Sequence, residues 1–450
     1  MVEGLVDRLR SIVMRNAGGK GSGGDAAPRP RQLEEWRRLL AECAEAKGGE
    51  VSTRIRAAAL AQTYLGLDDE GRHAFLRLIS LEFGPEPARV AAAHQAYQEA
   101  VGTPGQWDAE AELRAALRSA RIRILTQFNA IPQGVKFLVD LRADLLRYLD
   151  ADAELAPLDR ELESRLAAWF DVGFLELSRI TWNSPAALLE KLIEYEAVHE
   201  IRSWTDLKNR LDSDRRLYAF FHPRMPMEPL IFVEVALTDR LADNVQALLD
   251  ENAPVFDARR ADTAIFYSIS NTQNGLRGVS FGNFLLKRVI DDLQRDFPKL
   301  RHFATLSPLP GFAAWLAKNL SELASDLPEA ELSRLVTGEW TRDPSTARRI
   351  NEGLAQLAAR YLTLAKAARG DGRQPLDPVA RFHLGNGARI ERINPLGDAS
   401  VKGLKQSVGV MVNYLYDLDE LEHNVESFAR EGAIATSAAV RRLARPKQVQ

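Results

Sequence analysis

The sequence predicts two domains of different class, an all-α helical bundle over residues 1–170 and an α+β domain with a mixed central sheet over residues 171–450. Three observations predict this division. From Gln32 to Phe170 apolar residues recur at three- and four-residue steps, with no run that alternates as a strand would. After Phe170, β-branched and aromatic runs appear between helical stretches, several joined by short turns. Between Phe266 and Phe312 the chain reads as strand, glycine-punctuated turn, helix and strand. At 450 residues the chain has length for two or three domains with full hydrophobic cores.

The first fourteen residues look amphipathic, but acidic Glu3 and Asp7 and the lack of an apolar core segment argue against a secretory signal. Gly18 to Arg31 is a flexible joint, too poor in apolar residues to bury anything. In the helical half, Leu33, Trp36, Leu40 and Cys43 share one face, so Cys43 reads as core packing rather than as a reactive thiol. It is the only cysteine, which excludes an intrachain disulfide and a multi-cysteine zinc site. Leu113, Leu117, Ala120 and Ile124 trace a second face, and Leu138, Leu141, Leu145 and Leu149 a third. Breaks are expected at Gly84-Pro85, at Gly102 to Gly105 and at Ile131 to Gly134. No motif here demands chemistry, and assembly or scaffolding is the expected role.

In the second half, Ser184 and Pro185 are expected to cap and open a helix through Tyr195. Strands are expected at Leu217 to Phe221, Leu230 to Leu237, Thr263 to Ile269, Phe303 to Leu306 and Val408 to Tyr416. Helices are expected near 240–250, 283–296, 311–324 and 344–368, the second carrying Phe284, Leu285, Val289, Ile290 and Leu293 on its apolar face. The 59 basic and 62 acidic residues nearly cancel, which disfavours nucleic-acid binding through bulk charge. No apolar run approaches the roughly 18 residues a membrane span needs. The chain ends Gln448-Val449-Gln450, without a peroxisomal tripeptide, and a soluble cytoplasmic protein is expected.

Several residues are candidates for chemistry. Gln273, Gly275, Arg277, Gly278 and Gly282 lie between a strand and a helix, where glycines let the backbone approach a pyrophosphate and the helix N-terminus offers free N–H groups. An ordinary turn would also explain these glycines, and the spacing fits neither a Walker loop nor a dinucleotide fingerprint. Ser307, before Pro308, reads as a turn former or as a group at the same strand ends as the loop; no Gly-x-Ser-x-Gly elbow accompanies it. His383, beside Gly385-Asn386-Gly387, reads as structural or as a proton-transfer group, and no two histidines have metal-ligand spacing. His222 sits in a proline-dense connector, read as a rigid link with exposed polar groups or as a shaper of the substrate site. Tyr414 and Tyr416 share a strand face, either core or pocket wall.

The loop that begins at Gln273 resembles the acyl-CoA loop of the GNAT acetyltransferase superfamily, in which a Gln/Arg-x-x-Gly-x-Gly/Ala segment holds the CoA pyrophosphate. Here Gly275 follows Gln273 by two residues and Gly278 comes three later, a departure from that spacing. Four segments together resemble the malonyl-CoA decarboxylase family: Arg179 to Lys191 with Tyr195 to His199, Phe221 to Leu230, Phe266 to Phe312, and Phe382 to Gly387 with Met411 to Tyr414. The resemblance implies a helical oligomerisation domain followed by an acetyltransferase-like catalytic domain. It implies metal-free decarboxylation of malonyl-CoA to acetyl-CoA and carbon dioxide, the CoA thioester being the substrate and no cofactor being needed. It assigns catalysis to Ser307 and His383, and CoA binding to Arg277, Gly278, Val279, Ser280, Phe281, Gly282 and Asn283, with Gln273 and Gly275 leading in.

A homodimer or homotetramer through the helical half and a bacterial cytoplasmic form are implied as well. The runner-up is an acyl-CoA-dependent N-acyltransferase on the same fold; a third reading is a non-enzymatic assembly protein with a residual CoA pocket. The chemistry suits the residue types. Loss of carbon dioxide leaves an enolate, which needs hydrogen-bond donors at the thioester oxygen and a proton at carbon. Ser307 is expected to orient the substrate and His383 to supply the proton, the two roles being exchangeable in part. The physiological purpose stays open between malonate catabolism, within fatty acid metabolism, and control of malonyl-CoA concentration.

Overall fold

A computed structural model describes residues 29–279, 284–323, 344–367 and 372–445, which divide into two units. The amphipathic first fourteen residues and most of the glycine-rich joint lie outside the described residues.

The first unit runs to Phe174 and also takes in His222–Pro226 and Gln273–Ser280. Its helices end where glycine and proline interrupt the pattern, as at Glu82 before Gly84-Pro85 and at Ala130 before the helix Gly134–Tyr148. Asp68 caps the helix Asp69–Glu82, its carboxylate accepting the Gly71 N–H at 2.8 Å. The core is a chain of edge-on and tilted rings, Trp36 on Phe75, Phe75 on Tyr64, Tyr64 on Phe137 and Phe137 on Phe128, with centroids 5.2–5.8 Å apart. Cys43 is buried beside Trp36 and Leu40 on one helix face, and burial pushes its thiol up to about 11. That makes it a packing residue with little thiolate.

One expected face does not exist. Leu113 and Leu117 belong to the helix Gln106–Leu117, whereas Ala120 and Ile124 belong to Ala120–Ala130. The chain turns through extended Arg118 and Ser119, so Leu117 is exposed while Ile124 is buried. Periodicity carried across a two-residue break looks continuous in sequence and is not so in space. His222 also departs from expectation. Its ring is buried, Nε2 lies 3.1 Å from the Trp169 carbonyl, and Nδ1 accepts the Arg224 N–H at 3.1 Å.

The second unit is built on an eight-stranded mixed sheet, in the order β1 (Glu176–Ile180), β2 (Arg215–Phe221), β3 (Pro229–Thr238), β4 (Thr263–Asn271), β5 (His302–Thr305), β8 (Met411–Tyr416) and β6 (Ser307–Pro308). The remaining strand, β7 (Arg389–Asn394), pairs with β8. All pairs are antiparallel except β4 with β5. A parallel neighbour needs a crossover, supplied by the helix Phe284–Asp296, with Leu285, Val289, Ile290 and Leu293 buried. This is the strand, loop, helix, strand unit expected of an acetyltransferase-like domain. β4 and β5 pair only from Thr263↔His302 to Phe266↔Thr305, after which β4 runs on to Asn271 without β5.

β1 and β7 were not among the expected strands; both are rich in charged residues, and both carry exposed or half-buried positions that mask an apolar alternation. The expected helix at 240–250 is confined to Val245–Leu248, and Val408 lies in a left-handed turn before β8 rather than in the strand. Ser184 does not cap a helix. Its hydroxyl accepts the Thr181 N–H at 3.1 Å, and Pro185 itself stands at the N-cap of Ala186–Tyr195.

Candidate active site

Ser307 and His383, 76 residues apart, meet inside the second unit, where Ser307 Oγ lies 3.1 Å from His383 Nε2. Ser307 is held in sheet rather than in a turn, since β6 pairs it with Val412 of β8. Thr305 closes β5 two residues earlier, and its hydroxyl accepts the Ser307 O–H at 2.9 Å and the Tyr414 N–H at 3.2 Å. The Asn413 side chain donates to the Thr305 carbonyl at 2.7 Å, tying the end of β5 to β8.

His383 stands in the last turn of the helix Pro378–Gly385. Asp377 starts that helix; one carboxylate oxygen accepts the Ala380 N–H at 2.8 Å, and the other accepts the Tyr361 O–H at 3.1 Å. The His383 ring stacks on Tyr414 at 4.5 Å with the planes 27° apart, and its Nδ1 lies 2.7 Å from Tyr416 Oη. Tyr414 and Tyr416 therefore wall the site from one face of β8, as their two-residue spacing allows.

The protons can be counted. Ser307 has one, which the geometry lets it donate to Thr305. The contact from Ser307 to His383 then requires a proton on Nε2, which leaves Nδ1 as acceptor for the Tyr416 O–H. In this arrangement each donor points the same way, from Tyr416 through His383 and Ser307 to Thr305. Burial without a charged partner pushes the His383 imidazole down to about 3, and burial holds the Tyr414 and Tyr416 phenols well above their usual range. All three stay neutral across the physiological range.

This electrostatic setting differs from a nucleophilic triad. There a carboxylate on the far nitrogen stabilises the imidazolium that forms when serine loses its proton. A neutral phenol occupies that place here, so Ser307 is not primed as a nucleophile. The site instead offers two neutral donors, Ser307 O–H and His383 N–H, in a water-poor setting where such donors act strongly on a developing oxyanion. Among the described residues, no group of three His, Cys, Asp or Glu side chains could hold a metal ion.

The glycine loop is placed differently. Gln273, Gly275, Arg277, Gly278 and Val279 group with the helical unit, while Ser280, Phe281, Gly282 and Asn283 lie outside the described residues. Arg142 Nη1 donates to the carbonyls of Gly275 and Arg277 at 2.9 and 2.7 Å, which fixes the loop backbone. A Cβ on Gly275 would stand 1.8 Å from the Val139 carbonyl oxygen. Gly278 has φ +87°, and a Cβ there would stand 2.6 Å from Glu163 Oε1. Backbone packing therefore requires glycine at 275, and the left-handed φ favours it at 278, whatever the loop binds.

Sequence reasoning named the serine, the histidine and the tyrosine pair, and it missed Thr305, Tyr361 and Asp377. Asp377-Pro378 was a readable helix start, six residues before His383. Thr305 carried only the i, i+2 relation to Ser307.

The neutral histidine has a consequence for stability. In the unfolded chain it binds a proton below about pH 6.5, while the folded chain does not until far lower pH. Its contribution is complete above about 6.5 and is lost as pH falls towards 3. Buried His199, pushed down to about 4, acts in the same direction. The urea midpoint is expected to fall between pH 7.5 and pH 5, and to fall less in His383→Gln; equal falls in both proteins would contradict the assignment.

The malonyl-CoA decarboxylase C-terminal domain profile matches residues 173–450, and the profile of that family's N-terminal domain matches residues 83–170. Mitochondrial malonyl-CoA decarboxylase of Anser anser anser is 36% identical over 418 residues, 86% of this chain and 82% of that protein. The Rattus norvegicus protein of the same name is 39% identical over 360 residues, 74% of this chain and 72% of its own. The crystal structure of malonyl-CoA decarboxylase from Rhodopseudomonas palustris superposes with a TM-score of 0.84 at 42% identity, covering 91% of this chain and 99% of that one. The Agrobacterium vitis structure gives 0.83 at 41%, covering 92% and 100%.

Proposed function

This chain belongs to the malonyl-CoA decarboxylase family and converts malonyl-CoA to acetyl-CoA and carbon dioxide, and we propose that the Ser307–His383 pair carries out the reaction without a metal or cofactor. The observation that carries this reading is the neutral donor chain Tyr416–His383–Ser307, which lacks a carboxylate partner.

The bond that breaks joins the malonyl Cα to its carboxylate carbon. Its electron pair enters the thioester as an enolate, carbon dioxide leaves uncharged, and a proton is added to Cα to give acetyl. Ser307 O–H, turned from Thr305 to the thioester oxygen, stabilises the enolate charge where it develops. His383 Nε2–H gives its proton to Cα while Tyr416 O–H, on Nδ1, replaces it across the ring, so that no imidazolate accumulates. Water reprotonates Tyr416 after product release. The stretch of β4 beyond Phe266↔Thr305, which β5 does not pair, supports entry of an extended thioester arm along β4, whose backbone groups suit amide pairing. CoA binding is assigned to Gln273, Gly275 and Arg277 through Asn283, with the exposed Arg277 side chain as a phosphate partner.

Purified protein is expected to release carbon dioxide from malonyl-CoA alone, at the same rate with and without EDTA. A requirement for an amine acceptor would favour acyl transfer instead, and loss of activity with EDTA would overturn the metal-free reading.

A homodimer or homotetramer through the helical domain is part of the same proposal. The helices Pro87–Ala100 and Gln106–Leu117 pack on each other, yet the first buries no residue and Trp107 is 73% exposed. So little buried surface holds a short hairpin weakly, and a second copy would supply the missing contact. Light scattering should then report two or four chains. Among the described residues no helix is long and apolar enough to cross a membrane. Cytoplasmic residence is supported by the likeness to bacterial chains at 41–42% identity and is checked by fractionation.

A further inference from the structure

We propose that Thr305 is a positioning residue whose hydroxyl, by accepting the Ser307 proton, holds His383 as the Nε2–H donor tautomer. The inference rests on the decarboxylase reading, in which that proton goes to substrate carbon. Thr305 is fully buried at the last paired position of β5 and is held from two sides. Its hydroxyl oxygen takes the Tyr414 N–H at 3.2 Å, and its carbonyl takes the Asn413 amide at 2.7 Å. The oxygen facing Ser307 is therefore pinned to the β8 backbone.

The inference follows from proton direction. A neutral imidazole carries one N–H, and in this site either arrangement finds partners: Nε2–H towards Ser307 with Tyr416 donating to Nδ1, or Nδ1–H towards Tyr416 with Ser307 donating to Nε2. Tyr416 and Ser307 are both hydroxyls and fit both arrangements. Thr305 is a hydroxyl too, so the tie is broken only by the direction in which the Ser307–Thr305 bond runs. While Thr305 Oγ1 lies 2.9 Å away and accepts the serine proton, the first arrangement holds. Without that oxygen, the serine proton turns to Nε2, the imidazole becomes Nδ1–H, and the donor aimed at the substrate becomes an acceptor.

Thr305→Val keeps the shape and removes the oxygen. The test is magic-angle-spinning 15N spectroscopy of histidine-labelled full-length protein, with His383→Gln identifying the resonances of His383. Wild type and Thr305→Ser are expected to show Nε2–H, and Thr305→Val to show Nδ1–H. In steady state, kcat should fall about tenfold or more in Thr305→Val with KM for malonyl-CoA little changed, and recover in Thr305→Ser. A wild-type protein with Nδ1–H overturns the proposal, and this outcome does not depend on any variant folding. So does a Thr305→Val protein that keeps Nε2–H, or one that changes tautomer and keeps its kcat. Failure of the decarboxylase reading is seen separately, as absence of carbon dioxide release by wild type.

Discussion

Replacing His383 by alanine is expected to lower kcat for carbon dioxide release by about 10²-fold or more, with the affinity for CoA nearly unchanged. The ring bridges Ser307 and Tyr416, so its loss would remove the proposed proton donor and break the donor chain together. Ser307→Ala should cost a comparable factor, as removal of an oxyanion donor does. The double variant should be little worse than the worse single one, because residues that act as a unit are not additive. The contrasting variant is Arg277→Ala, which lies outside the dyad and should weaken CoA binding while sparing kcat. Single-turnover rates and CoA titrations separate the two effects. Near-normal turnover in both dyad variants would refute the mechanism.

Gly275→Ala is expected to destabilise the helical unit by about 3 kcal/mol or more, the range of severe overpacking. The added methyl would overlap the Val139 carbonyl oxygen, a main-chain atom in the middle of the helix Gly134–Tyr148 that no rotamer change can move. Relief requires the loop to lift off that helix, which would also break the two hydrogen bonds from Arg142. Arg142 is itself buried and paired with Asp159 at 2.9 Å, so the disturbance would strand a buried charge. Chemical denaturation and intrinsic tryptophan fluorescence measure the loss, and a variant as stable as wild type would show that the loop does not need this contact.

Part of the fold is legible in the residues alone. Periodicity in the helical half locates its breaks, because glycine and proline act within a few residues of where they stand. The β4 strand, the crossover helix and β5 are legible for the same local reason. Where charged residues fill half-buried positions, as in β1 and β7, alternation alone is too weak a signal. The face drawn through Leu113, Leu117, Ala120 and Ile124 fails because a repeat distance says nothing of a turn between its members.

The glycine loop illustrates a second limit. Its glycines suggest approach to a phosphate, whereas the Val139 backbone already demands glycine at 275 and a left-handed φ favours it at 278. A glycine records that something comes close, and cannot say whether it is a ligand or the protein's own backbone.

The sequence by itself determined the two domain classes, the presence of Ser307 and His383, and the family to which the chain belongs. Those properties reside in local periodicity and in residue identity. Only the tertiary structure decided that Thr305, Ser307, His383 and Tyr416 form one line of neutral hydrogen bonds, with no carboxylate at its end among the described residues. Proton direction and histidine charge depend on burial and on partners such as Ser307 and His383, 76 residues apart along the chain. Folding alone brings these together and removes the water that would otherwise stabilise the charged form of the ring.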